Sequence, residues 1–178
     1  MEETRLIPIK IEYKKEIYRD RNQKIQRVLA HFDGFDKEYF VSDHGKRAAL
    51  LAVYNSKVLL VRQYRLLIND LSYEIPGGRI DKNEKPDEAG IRECFEETGV
   101  KCLNVKPLLS YHPSLDIWKN YTNIFFTDNF NQIPDDESDR HIFMPIENCI
   151  KMIFSGGIVD SLSIIALFAY YIKVDKSR

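Results

Sequence analysis

The sequence is poor in cysteine, and its few cysteines show no metal-binding or paired spacing. Only three occur among 178 residues, and none belongs to a Cys-x-x-Cys pair. An odd number without such spacing argues against a disulfide framework and against a zinc site. The three are Cys94, Cys102 and Cys149, and two of them are interpreted as core or strand residues.

The chain also lacks an excess of charge and lacks a long hydrophobic run. Its formal net charge is −1, so no basic field favours nucleic acid or an anionic membrane as a partner. The longest apolar run, residues 162–172, is interrupted by Ser163 and is too short to span a bilayer. The first ten residues lack the apolar stretch of a signal peptide. We therefore expect a cytoplasmic protein that binds neither nucleic acid nor membrane.

The composition and the hydrophobic pattern predict a mixed α/β fold. Hydrophobic residues make up 44% and charged residues 30% of the chain, which is typical of one globular domain with a proper core. Strands interleaved with helices predict a mixed sheet covered by helices on both faces. Strands are predicted at residues 5–19, 26–32, 37–42, 47–53, 57–64, 71–75, 103–111, 122–128 and 141–145, and helices at 86–98, 146–154 and 161–173. The first three strands would form a small β arm, residues 1–46, ahead of a main domain at 47–178.

The helix predicted at residues 86–98 carries the strongest chemical signal. It begins with proline and acidic residues and is followed by Gly99, the usual start and stop signals. Glu96 and Glu97 follow Glu93 by three and four residues, so all three share one side of the helix. Their like charges repel one another unless a cation lies among them. Such hard oxygen ligands suit Mg²⁺ or Mn²⁺ better than zinc.

A solvated acidic helix face is the alternative interpretation of these glutamates. Against it, Ala89, Ile91, Cys94 and Phe95 give the helix apolar surface to bury. The preceding Glu-Ile-Pro-Gly-Gly, residues 74–78, predicts a strand that runs into a tight glycine turn, where backbone can approach a ligand closely. A strand, a glycine loop and an acidic helix in succession indicate a binding site.

The same residues match a known sequence motif. The pattern is Gly, five residues, Glu, seven residues, Arg-Glu, apolar, any, Glu-Glu, any, Gly, apolar, and the chain thereby resembles the Nudix hydrolase family. All seven polar and glycine positions are intact, and only Cys94 departs, because a larger aliphatic residue is more usual there. The matching residues are Gly78, Glu84, Arg92, Glu93, Cys94, Glu96, Glu97, Gly99 and Val100.

The resemblance implies a fold, a cofactor and several residue roles. The fold would be a Nudix-type α/β/α sandwich with a mixed sheet, and the reaction would be hydrolysis of a diphosphate. Divalent cations held by Glu93, Glu96 and Glu97 would neutralise the diphosphate oxygens and acidify a bound water. A carbonyl of Gly77 or Gly78 would add an uncharged ligand. Arg92 would pair with a box carboxylate and orient it.

Flanking residues resemble the ADP-ribose pyrophosphatase branch of that family. The motifs are Val-Arg-Gln-Tyr-Arg at 61–65, Tyr-Glu-Ile-Pro-Gly-Gly at 73–78 and an Asp-Glu pair at 136–137. The resemblance implies that Arg65, with Arg62 beside it, contacts the substrate, although both arginines could instead form a solvated strand edge. Glu137 would be the general base. Asp135, Asp136 and Asp139 are alternatives for that role.

Two further segments bear on the substrate. The loop at residues 111–116, Tyr-His-Pro-Ser-Leu-Asp, departs from the Ser-Pro-Gly-like loop of that branch, so the identity of the sugar stays open. His112 could donate to a phosphate or hydroxyl there, or could be a surface residue without a task. In that branch the N-terminal strands join a partner subunit and aromatic residues sandwich the base. Phe40, Tyr39 or Phe32 could serve here, in a homodimer.

Three functions remain open at this point. The first is Mg²⁺-dependent cleavage of ADP-ribose to AMP and ribose 5-phosphate. The second is the same chemistry on another nucleoside diphosphate sugar, such as GDP-mannose or UDP-glucose. The third is a sensor that binds a nucleotide sugar without cleaving it, which is disfavoured because all three glutamates of the box are present.

Overall fold

The computed structural model describes residues 7–131, 135 and 137–173 of the chain. Its strands are β1 (Lys10–Arg19), β2 (Lys24–Phe32), β3 (Phe35–Asp43), β4 (Arg47–Tyr54), β5 (Lys57–Arg65), β6 (Asp70–Glu74), β7 (Gly77–Arg79), β8 (Cys102–Leu103), β9 (Lys106–Tyr111), β10 (Trp118–Lys119), β11 (Thr122–Thr127), β12 (Asn129–Phe130) and β13 (His141–Pro145). Its helices are α1 (Pro86–Thr98), α2 (Ile146–Ser155) and α3 (Ser161–Lys173). No helix in the described ranges is long and apolar enough to cross a membrane.

The chain divides into two compact units. The first comprises Met1–Lys46 with His112–Tyr121, and the second comprises Arg47–Tyr111 with Thr122–Arg178. Residues 112–121, which the sequence analysis placed in the main domain, therefore group with the N-terminal strands. The boundary after residue 46 lies where the β arm was expected to end.

The first unit is a four-stranded sheet in the order β1-β2-β3-β10. Strands β1, β2 and β3 are antiparallel neighbours, and β10 runs parallel to β3. Asp33 and Gly34 form the short turn between β2 and β3. Phe32 and Phe35 face each other across that turn with their rings stacked, the centroids 4.7 Å apart.

The second unit is built around a mixed sheet in the order β13-β5-β4-β11-β9. Strand β6 lies beside β5, and β7 lies beside β4. Strands β4 and β11 are parallel, and the other pairs are antiparallel. Helix α1 covers one face, while α2 and α3 cover the other. The predicted α/β class with helices on both faces is confirmed.

Strand β4 is the centre of this unit. All six residues from Ala48 to Val53 are buried, because both faces of the strand are covered by helices. A strand buried on both sides reads as a continuous apolar run instead of an alternating one, which explains the sequence Ala-Ala-Leu-Leu-Ala-Val. The hairpin to β5 turns at Asn55 and Ser56, which both have positive φ.

Helix α1 has the predicted bounds but not the whole predicted buried face. Ala89 and Cys94 are buried, and Gly90 and Thr98 join them. Phe95 was expected to be buried, but it is 51% exposed because it lies on the outer side of the helix. The three cysteines are free thiols in the interior.

Candidate active site

Two glycines bring the β7 backbone against both the sheet and helix α1. The sequence analysis expected a tight glycine turn here, but Gly77 and Gly78 begin a short strand that pairs with Ala49 and Ala48 of β4. A Cβ atom added at Gly77 would lie 2.6 Å from the Ala49 Cβ. One added at Gly78 would lie 2.3 Å from the Glu93 carboxylate. The glycines are thus required by close packing of two elements rather than by a turn.

The Glu97 carboxylate is held at both oxygens. Gln63 Nε2 donates to Oε1 at 2.8 Å, and the backbone N–H of Gly77 donates to Oε2 at 3.0 Å. Burial raises the pKa of Glu97, the two donors oppose that shift, and the negative charge of Glu93 adds to it. The carboxylate is therefore fixed in place and electrostatically strained, which is a condition that a nearby cation relieves.

Arg92 links three of the box carboxylates. Its Nε and Nη2 donate to the two oxygens of Glu84 at 2.8 and 3.0 Å, a bidentate pair. Its Nη1 donates to Glu93 at 2.9 Å and to Glu96 at 3.2 Å, and Nη2 also donates to the Arg79 carbonyl. The hydrogen bonds that Arg92 donates to Glu84 raise the pKa of Arg92 and lower the pKa of Glu84. The expected pairing of Arg92 with box carboxylates is present.

The carboxylates of the glutamate motif are oxygen donors that suit a hard divalent cation, although they do not form a complete coordination shell. Glu93 is close enough for its negative charge to contribute to the raised pKa of Glu97. In the part of the chain that the structure describes, no three carboxylate, imidazole or thiol side chains converge as a ready ligand set. The Gly77 carbonyl, expected as a further ligand, accepts a hydrogen bond from Arg47 at 3.1 Å. Oxygen donors with repelling charges nevertheless fit Mg²⁺ or Mn²⁺.

The two arginines of β5 have separate surroundings. Arg65 donates through Nε and Nη2 to both oxygens of Glu74, which is buried, and this pair raises the pKa of Arg65. The Arg62 guanidinium lies over the Tyr73 ring, 5.8 Å from its centroid. Glu74, to which no role was assigned from the sequence, therefore holds Arg65 near the charge of Glu97. Arg62 donates to no acceptor among the residues that the structure describes.

The acidic loop before β13 lies beside Arg62. Glu137 and Asp139 line a cavity of about 340 Å³ together with Arg62 and Tyr73. Asp135 contributes its carbonyl as an acceptor for Nε2 of His141 at 3.2 Å. Asp136 lies outside the described residues.

Two residues at the end of that loop tie it to α1. Arg140 Nη2 donates to the Glu96 carbonyl. His141 Nδ1 lies 3.0 Å from the Thr98 carbonyl. Arg140 and His141 thus fix the start of β13 against the last turn of the glutamate helix.

The remaining predicted residues belong to the first unit. Phe40 lies on β3 and is 50% exposed. Tyr39 lies under the Lys37 ammonium, which is 4.6 Å from its ring centroid. His112 packs against Tyr121, with ring centroids 4.9 Å apart.

Sequence reasoning missed several residues that organise the second unit. Gln63, Glu74 and Arg47 are among them, and each acts across strands that are distant in sequence. Ser163 is another: its Oγ accepts from the Ile75 N–H at 3.0 Å and donates to Asp160 at 2.7 Å. The spacing of Asp160 and Ser163 at the start of α3 is the capping signal that could have indicated it.

The chain has relatives among proteins of known name. It is 27% identical over 137 residues to a CMP-5'-(N-acetyl-N-hydroxy-3-aminopropyl)phosphonate hydrolase of Streptomyces rubellomurinus (strain ATCC 31215), covering 75% of this chain and 66% of that protein, slightly under two thirds. It is 23% identical over 137 residues to an ADP-ribose pyrophosphatase of Bacillus subtilis (strain 168), covering 74% of each chain. The crystal structure of an ADP compounds hydrolase has the same fold, with a TM-score of 0.76 at 16% identity over 96% of this chain and 94% of that one.

A family model for the NUDIX domain matches residues 44–151. This range contains the whole glutamate motif, the glycine strand and the acidic loop. Together with the relatives above, it confirms the resemblance to the ADP-ribose pyrophosphatase branch. The chain belongs to the Nudix family.

Proposed function

We propose that this Nudix hydrolase cleaves the diphosphate of ADP-ribose and releases AMP and ribose 5-phosphate. The observation that carries the proposal is the placement of Glu97, whose oxygens accept from Gln63 and from the Gly77 N–H. This contact joins the motif of β5, the glycine strand and the glutamate helix, the three segments that resemble the ADP-ribose pyrophosphatase branch. Similarity to the Bacillus subtilis ADP-ribose pyrophosphatase supports the same substrate.

The cofactor in this proposal is Mg²⁺ or Mn²⁺. Glu93, Glu96, Glu97 and the Gly77 carbonyl would hold it, and it would supply positive charge that stabilises the diphosphate oxygens. Arg92 holds Glu93 and Glu96 through one nitrogen, so it limits the positions that these carboxylates can take. Gly78 leaves room for the Glu93 carboxylate against the β7 backbone.

The loop before β13 provides the base in this proposal. Glu137 would accept the proton of the attacking water, and Asp139 is the alternative acid in the same cavity. Arg62 faces that cavity and would bind the substrate. Arg65, oriented by Glu74, would contribute positive charge to the phosphates.

A second candidate is hydrolysis of another nucleoside diphosphate sugar. The loop at residues 111–116 departs from the pattern of the ADP-ribose branch, and a named relative acts on a CMP-linked phosphonate. His112 lies in that loop and would contact the distal part of the substrate.

We also propose that the protein is a cytoplasmic homodimer that uses the first unit as its interface. Ile9, Ile11 and Tyr13 of this unit are each more than half exposed, and such apolar surface is typical of an interface. Phe40 would contact the base. The three buried free thiols are compatible with a reducing compartment. A light-scattering mass equal to that of one chain would refute the homodimer.

Product analysis on a panel of substrates tests the function. ADP-ribose, GDP-mannose, UDP-glucose and NADH are each incubated with Mg²⁺ and with EDTA, and the phosphate products are separated. Metal-dependent AMP from ADP-ribose, well ahead of the other products, is the expected result. Preference for a different sugar nucleotide would support the second candidate, and binding without cleavage of any of the four would favour the sensor.

A further inference from the structure

Arg47 is an arginine of the second unit for which neither the sequence motif nor the relatives suggest a task. It is the first residue of β4 and pairs with Arg79 of β7 and with Thr122 of β11. Its Nη2 donates to the Gly77 carbonyl at 3.1 Å. The guanidinium is thus anchored beside the glycine strand by one of its nitrogens.

Within the described ranges, the hydrogen bond to Gly77 is the one that the Arg47 guanidinium donates. Its Nε is enclosed and has no hydrogen-bond acceptor among the residues that the structure describes. No ion pair of Arg47 occurs within those described ranges either. An enclosed guanidinium N–H without an acceptor costs stability. Such a group indicates that an acceptor is supplied by something other than the described chain.

Arg47 differs in this respect from Arg65 and Arg92 of the candidate site. Arg65 binds both oxygens of Glu74, and Arg92 binds both oxygens of Glu84. Their positive charges are therefore largely matched within the protein. Arg47 donates only to a neutral carbonyl, so it retains its charge and its free donors for an anion.

The position of Arg47 indicates the kind of anion that it would bind. Gly77 donates its N–H to Glu97 and accepts from Arg47 through its carbonyl. One residue thus separates the guanidinium from a carboxylate of the glutamate cluster. A planar guanidinium binds phosphate oxygens through two nitrogens. The geometry points to Arg47 as a further substrate-binding residue, which holds a phosphate oxygen of the diphosphate beside the glutamate cluster.

This inference rests on the proposed function only in requiring a diphosphate substrate. It does not depend on which nucleoside or sugar flanks the diphosphate. Arg47 is a cation that shares the backbone of Gly77 with Glu97, so we expect it to affect the binding of anions and of metal ions in opposite directions. A merely structural arginine would weaken both kinds of binding when it is replaced.

The test compares Arg47→Gln and Arg47→Lys with Lys151→Gln, a control that removes one positive charge from the exposed side of α2. ADP-ribose, UDP-glucose and inorganic pyrophosphate are titrated calorimetrically in EDTA, and Mn²⁺ is titrated separately without nucleotide. In Arg47→Gln the dissociation constants of the diphosphates should rise by about tenfold or more, as expected for loss of a charge-assisted hydrogen bond. Arg47→Lys should lose part of this affinity, and Lys151→Gln none.

The affinity for Mn²⁺ should stay equal or become tighter in Arg47→Gln, because a repelling charge has been removed. Unchanged diphosphate binding in that variant would overturn the inference. So would equal weakening of Mn²⁺ and diphosphate binding, or a wild type that binds none of the three diphosphates. The proposed function is tested by a different measurement: it fails if the wild type does not cleave ADP-ribose.

Discussion

Replacing Glu97 by glutamine removes the charge of this side chain while keeping its shape. The glutamine carbonyl can still accept from the Gly77 N–H, and the contact with Gln63 can be remade by rotation of the Gln63 amide. The repulsion from Glu93 disappears at the same time. In EDTA we expect the free energy of unfolding of Glu97→Gln to equal that of the wild type within about 1 kcal/mol, or to exceed it.

The sign of the pH dependence follows from the raised pKa of Glu97, whose main cause is burial. An acid with a raised pKa in the folded state favours folding while it is protonated. That contribution is present below its unfolded value, near 4.5, and is lost as the pH rises through the folded pKa. Glutamine does not titrate. The stability of the variant relative to the wild type should therefore increase across this interval, measured by urea unfolding in EDTA at a series of pH values.

The catalytic consequence of the same substitution should be large. Residues that only orient metal ligands contribute about 10- to 100-fold to activity, so loss of a proposed ligand charge should lower turnover with Mg²⁺ by more than about 100-fold. Glu88→Gln is the matched control, because it removes one charge from the exposed first turn of the same helix. Near wild-type turnover of Glu97→Gln would refute the metal assignment. A variant less stable than the wild type at neutral pH would refute the electrostatic reasoning.

Three further substitutions test the supporting contacts. Gly78→Ala would place a Cβ 2.3 Å from the Glu93 carboxylate. Turnover should therefore fall about tenfold or more, while the urea midpoint of unfolding should change little. Glu84→Gln weakens the bidentate partner of Arg92, so we expect a 10- to 100-fold loss, roughly, with a higher Mg²⁺ requirement. Ser163→Ala leaves a buried backbone N–H without its acceptor, so the free energy of unfolding should fall by about 1–3 kcal/mol. An unchanged value in any of the three assays would contradict the contact concerned.

Elements with strong local signals could be predicted from the sequence. Helix α1 has the predicted bounds, Pro86–Thr98, because a proline, first-turn acids and a terminal glycine mark both ends. The α3 helix begins at Ser161 as predicted, where Asp160 accepts from the backbone of Ser163. Capping depends on residues three or four positions apart, so the ends of these helices can be predicted from the neighbouring sequence.

Features decided by tertiary packing could not be predicted in the same way. The hydrophobic pattern of α3 predicts an apolar face of Leu162, Ile165, Leu167, Phe168 and Tyr171. Of these Leu167 is fully buried, and the other buried residues of the helix are Ser163, Ala166 and Tyr170. Ser163 lies on the buried side because its Oγ accepts from the Ile75 N–H, a contact that the hydrophobic pattern of the helix alone does not reveal. Glu97 was identified from its helix spacing. Its partner Gln63 is 34 residues away and becomes evident only once β5 is placed beside β6 and the glycine strand.

The packing of the core and the placement of the glutamates depend on the same few atoms. Gly77 lies against Ala49, so closely that a Cβ at residue 77 would overlap the alanine side chain. The same glycine positions Glu97 through its N–H and Arg47 through its carbonyl. Any larger side chain at residue 49 would push the glycine strand outward and move both groups together. The small residues of β4 are therefore a condition for the geometry of the site, which explains why an alanine pair lies at the end of the most buried strand.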